Sequence, residues 1–244
     1  MIVVIAITAI IGSMVAVFLR APLESYVAQD RRARLADAAD TALRRMGRDI
    51  RLALPNSVRV TATGSVVEFL GTRSGGRYRA QGGGNVLDFV AADSSFDVLG
   101  PPIEMRAGDR IAVYNLGIPG ADAWAGNTLA LYTGGNATVS NIAIAATQFP
   151  LASPGNRFQV VDGPVSYVCD LGARTLTRFW GYDPTVGVTA ATPRALLANQ
   201  VSACNFTYQP GITERGGLVS MTLSLSQAGE TVRLYATTQV SNQP

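Results

Sequence analysis

The chain has no histidine and no lysine, and only two cysteines in 244 residues. Without imidazole there is no Ser-His-Asp triad, no Cys-His pair and no histidine metal ligand. The serines have neither histidine nor a nearby lysine to activate them, and neither a G-x-S-x-G elbow nor a P-loop occurs. Two thiols without histidine partners fall short of a four-ligand zinc site. The expectation is a protein that is not an enzyme, with no catalytic residue, no cofactor and no metal. Asp93–Asp97 ("DSSFD") and Asp122 with Asn127 carry oxygens of the kind calcium takes. Neither follows the EF-hand spacing, and Asx turns account for both.

All twenty basic residues are arginine, and they are unevenly placed. Residues 1–54 hold eight arginines against five acids, whereas residues 55–244 hold twelve of each. The net charge of +3 therefore sits in the N-terminal segment. The remainder offers no broad basic face, so no nucleic acid partner is expected. Cys169 and Cys204 leave two readings: a disulfide, or a pair of buried free thiols. An exported chain favours the bridge, whose loop of about 35 residues would contribute about 3–4 kcal/mol.

What the chain does have is nineteen uncharged residues at its start, "MIVVIAITAIIGSMVAVFL". As a helix they rise about 28 Å, near the hydrocarbon thickness of a bilayer. No basic region precedes the run and no cleavage site follows it, which disfavours a signal peptide. A transmembrane helix over 1–19 fits better. The arginines just beyond it would then place the body in the cytoplasm, while the cysteine pair suits an oxidising compartment. Both hold if basic residues stand upstream of Met1, and that is the expectation. From residue 23 the text turns amphipathic. Leu35, Ala39, Leu43, Met46, Ile50 and Leu54 follow one another at spacings of three and four, one packing stripe that Val27 would extend towards the start. Pro55 ends the pattern. Pro22, between the two halves, should kink the helix. Residues 1–54 thus form one predicted segment and residues 55–244 a second.

Past Pro55 the period shortens to that of strands. Runs flank Thr63-Gly64, an apolar run follows the triple glycine at 82–84, and "RIAVYNLG" and "TLALYTGG" are separated by a loop. Two hairpins stand out, one turning at residues 171–174 and one at Ala228-Gly229. In the second, Leu218, Met221, Leu223 and Leu225 are expected mostly on one face. "RALLANQV" reads as a helical turn entering a strand. The aromatics Tyr167, Phe179, Trp180 and Tyr182 resemble a sugar-binding platform, although cross-strand packing explains them more simply.

The opening helix, interrupted by a proline and followed by an amphipathic half, resembles the N-terminal helix of type IV pilins and pseudopilins. The patches "RRARLADAADTALRRMGRDIRLALPNSVRV", "GPVSYVCD", "TLTRFWGY" and "GETVRLYATTQVSNQP" resemble the minor pilin-like group of mannose-sensitive haemagglutinin (MSHA) pilus clusters. The prepilin processing motif is not among the residues. The resemblance implies an α+β fold with a long N-terminal α-helix packed on a C-terminal antiparallel β-rich head. It implies a minor subunit involved in assembly or initiation of a pilus. That subunit is held in the inner membrane by a single pass with its head in the periplasm before passing into an extracellular pilus. Partners would be other pilin and minor pilin subunits, inner-membrane lipid and, if the motif lies upstream, a prepilin peptidase. Arg31, Arg32, Arg34, Arg44, Arg45 and Arg48 are candidates for salt bridges to adjacent subunits. The competing expectation is a membrane-anchored periplasmic binding or adhesion module.

Overall fold

The computed structural model describes residues 1–184, 186–211 and 216–244, without the side chains of residues 16, 17 and 19–24. Helix α1 spans Ile2–Arg51. It is followed by β1 (Arg59–Val60), β2 (Val66–Tyr78), β3 (Asp93–Leu99), β4 (Ile103–Met105), β5 (Arg110–Ala112), β6 (Leu129–Leu131) and β7 (Ala137–Val139). Then come β8 (Asn141–Thr147), β9 (Arg157–Asp170), β10 (Thr175–Trp180), β11 (Arg194–Asn199), β12 (Val201–Gln209), β13 (Gly217–Gln227) and β14 (Glu230–Val240).

Among the described residues the strands fall into three sheets. The largest has the path β11-β10-β9-β2-β3-β8, with β1, β5 and β6 paired at its flanks. A second is β12-β13-β14 and a third joins β4 to β7. All strand pairs are antiparallel. The expected pilin-like α+β fold is corrected by this arrangement: the chain is β-rich, built of several sheets. The expected membrane span is corrected as well. Among the described residues no helix is long and apolar enough to cross a membrane. A single-pass inner-membrane location is therefore not supported. The helical assignment runs through residue 22, but the Pro22 side chain, and with it the expected kink, lies outside the described residues.

Two apolar cores divide the strands. The first lies where the C-terminal half of α1 covers β13 and β14. Leu35, Ala39, Ala42, Leu43, Met46 and Ile50 of the helix meet Val219, Met221, Leu223 and Leu225 there. Strict alternation along β13 puts its odd-numbered residues on the helix, so Leu218 falls on the opposite, half-buried face. Met221, Leu223 and Leu225 share one face as expected, with Val219 as the fourth member in place of Leu218. Leu54 is fully buried, but it lies beyond the end of the helix and in a smaller cluster with Leu70 and Val161. Val27 is half exposed and takes no part in the stripe.

The second core is the middle of the chain. Tyr78, Phe96, Phe149 and Phe158 close it, with Phe96 and Phe158 edge-on at 5.3 Å between ring centroids. The run after the triple glycine, read as a strand, is a loop that places Leu87 into this core. "RALLANQV" is β11 running into β12, not a helical turn. Both predicted hairpins form, β9–β10 and β13–β14. Gly64 holds φ +67° at the turn before β2, where an added Cβ would lie 2.3 Å from Asn205 Oδ1.

Candidate assembly surface

Among the described residues the first turns of α1 have no packing partner. Ile2, Ile5, Ile10, Met14 and Phe18 are 85, 65, 58, 70 and 85% exposed. Residues 2–15 are exposed on every side of the helix. A helix that is apolar all round belongs in an apolar environment, because water cannot solvate it at low cost. Its few polar groups are turned inward on its own backbone. Thr8 Oγ1 donates to the carbonyl of Val4 at 2.9 Å and Ser13 Oγ to that of Ile10 at 2.8 Å. The outward surface of this arm is thus almost purely hydrocarbon.

The other half of α1 is fastened to the sheets at three levels. At the first, Arg31 Nη1 donates to the Ala228 carbonyl at 3.2 Å and Arg32 pairs with Glu230 at 3.0 Å. At the last, Arg51 Nε donates to Thr238 Oγ1, whose hydroxyl donates to the Gly47 carbonyl. Between them Asp49 carries the strongest anchor. Its Oδ2 accepts from Tyr167 Oη and from Arg178 Nε, both at 2.7 Å, while Oδ1 faces Arg45 at 3.2 Å. Burial, and then the neighbouring Asp49 carboxylate, push the Tyr167 hydroxyl pKa well above its ordinary value.

Most of the arginines expected to reach other subunits are therefore already paired within the chain. Arg34 holds Asp30 and Arg44 holds Asp40, each one helical turn away. Arg48 has no such partner among the described residues. The helix stripe Leu35, Ala39, Leu43, Met46 and Ile50 is likewise spent on the chain's own sheet.

Cys169 on β9 and Cys204 on β12 are disulfide-bonded, with Cα atoms 6.6 Å apart. The bridge fastens the large sheet to the three-stranded one across the core they share. The aromatic group does not form an open platform. Tyr167 is fully buried and Tyr182 nearly so, and the Tyr182 hydroxyl donates to Glu68, which also pairs with Arg59 at 2.6 Å. Burial and that carboxylate push the Tyr182 hydroxyl pKa upward too. Arg178 lies 4.9 Å from the Trp180 ring centroid and Arg59 3.7 Å from that of Trp124.

The proposed calcium oxygens are engaged by protein donors. Asp97 accepts from Asn141 at 2.9 Å and from the Asn85 backbone at 2.8 Å, which hold its carboxyl pKa below the ordinary value. Asp93 accepts from the backbone of Ser94 and Asp88, and Asp122 from that of Trp124. Among the described residues no three His, Cys, Asp or Glu side chains gather as a metal site.

No family model matches the chain, and no curated protein matches it. The resemblance to type IV pilins drawn from the helix and from short patches is overturned on two counts: it finds no matching family, and the chain is predominantly β-sheet.

Two features of this surface escaped sequence reading. Asp49 looked like one acid among many on a polar helix face, and its role depends on Tyr167 and Arg178, more than a hundred residues away. The free edge of β14 needed the strand order. The only signal in the text was the length and polarity of the last run.

Proposed function

We propose that the chain is a structural, non-enzymatic subunit of a pilus-type fibre, acting in its assembly or initiation and joined to other subunits through the first turns of α1. One observation carries this reading: an arm of helix, apolar on every side, is left uncovered among the described residues. Exposed apolar area of that extent marks an interaction surface. Burial against apolar helices of neighbouring subunits, at about 25 cal/mol per Å², would supply on the order of ten kcal/mol over several hundred Å². The disulfide, the cross-sheet anchors and the lack of histidine suit a rigid building block more than a catalyst.

The test is a double substitution on the arm, Ile7→Arg with Ile11→Arg, in the full chain. Sedimentation velocity should show higher-order species for the parent chain and loss of them in the variant, with the thermal midpoint of the body unchanged. Equal association of both proteins overturns the reading.

A further inference from the structure

β14 is an edge strand eleven residues long, paired to β13 and to nothing else among the described residues. Such an edge presents unpaired N–H and C=O groups to whatever lies beside it. Proteins usually protect a long edge with prolines, bulges or inward charges. β14 has no proline and pairs with β13 without a register shift; its one inward charge, Glu230 at the turn end, is held by Arg32, and beyond it Val232, Leu234 and Ala236 face the core. Those three residues are only partly buried, although they belong to the same apolar face as fully buried Met221 and Leu223. Something is missing from the outer side of that face.

The space there is a groove of about 670 Å³ between α1 and β14. Its floor includes Leu234, Ala236 and Thr238, and its helical wall carries Arg44, Arg48 and Arg51 against a single acid, Asp40. The helix and strand run side by side, because Arg32 meets Glu230 at one end and Gly47 meets Thr238 at the other. Arg44 and Arg48, four residues apart, are separated by about 6 Å along the helix axis. Two residues of an extended strand advance about 6.8 Å.

We infer that the β14 edge takes up an extended, acidic segment of a partner protein as an added strand of the β12-β13-β14 sheet. Its main chain pairs with the β14 edge. Glutamates at alternate positions lay their methylenes on Leu234 and Ala236; one carboxylate meets Arg48, which has no ion-pair partner among the described residues, and the next shares Arg44 with Asp40. The excess of arginine on the wall selects an acidic segment over a basic one. This surface is separate from the apolar arm and does not rest on the fibre reading.

The probe is a fluorescein-labelled peptide, Thr-Glu-Thr-Glu-Val-Glu-Thr, titrated with the full-length protein by fluorescence anisotropy. Three controls accompany it: the same peptide with lysine for glutamate, one with alternate backbone nitrogens methylated, and the Arg44→Glu/Arg48→Glu protein. Saturable binding of the parent peptide is expected, weakened at least tenfold in each control. Binding should be unchanged in the Ile7→Arg/Ile11→Arg chain, so failure here and failure of the fibre reading are distinguishable. Absence of binding at millimolar protein overturns the inference, as does equal binding of the lysine peptide. Equal binding of the methylated peptide, which retains charge but cannot pair along the edge, overturns it too.

Discussion

The Tyr167 hydroxyl on β9 donates to the Asp49 carboxylate on α1 at 2.7 Å, and Arg178 on β10 donates to the same oxygen, Oδ2. Three elements far apart in sequence meet on one acid. Replacing Asp49 by alanine leaves a fully buried hydroxyl and a largely buried guanidinium without their acceptor. The expected loss is about 3 kcal/mol of unfolding free energy. Asp49→Ala/Tyr167→Phe should lose less than the sum of its single substitutions, because the second removes the orphaned donor. Urea unfolding of the four proteins measures the coupling, and strict additivity would contradict it.

The same burial predicts alkaline instability. Tyr167 and Tyr182 both have pKa values raised by desolvation and a facing carboxylate. In the unfolded chain a tyrosine ionises near pH 10. The native state holds its protons longer, so their contribution is fully present below that pH and is lost as pH rises from the unfolded towards the folded pKa. These two groups should contribute a fall in stability of up to about 2.7 kcal/mol per pH unit above pH 10, and burial of Tyr78 adds in the same direction. Tyr182→Phe should reduce the slope by up to about 1.4 kcal/mol per pH unit, read from urea midpoints between pH 9 and 11.

The Cys169–Cys204 bridge closes a sequence separation of 35 residues between two sheets. Its removal should lower stability by about 3–4 kcal/mol. Cys169→Ser/Cys204→Ser unfolding curves with and without dithiothreitol test this. The parent should shift to the variant's midpoint on reduction, and the variant should not respond.

Ala228 holds φ +47° beside Gly229 at φ +85°, the pair that turns β13 into β14. Alanine pays a steric cost there that asparagine pays less of. Ala228→Asn should stabilise the protein by about 0.5–1 kcal/mol. A neutral or lower thermal midpoint would show that this turn relaxes in solution.

Local chemistry was legible in the residues. Spacings of three and four marked the packing face from Leu35 to Ile50, because a helix returns to one side with that period whatever it packs against. Alternation and turn residues marked both C-terminal hairpins for the same reason. The two cysteines, with no other metal-binding partner of their kind, pointed to a bridge. What stayed hidden depends on contacts between distant segments. That Val219, and not Leu218, joins Met221, Leu223 and Leu225 follows from α1 lying on that face. The second core of Tyr78, Phe96, Phe149 and Phe158 assembles from loops and strands whose individual patterns are weak, so no single stretch announced it. Whether a carboxylate such as Asp49 is a solvated helix charge or the meeting point of three elements is a question of burial, and burial exists only once the whole chain has closed around it.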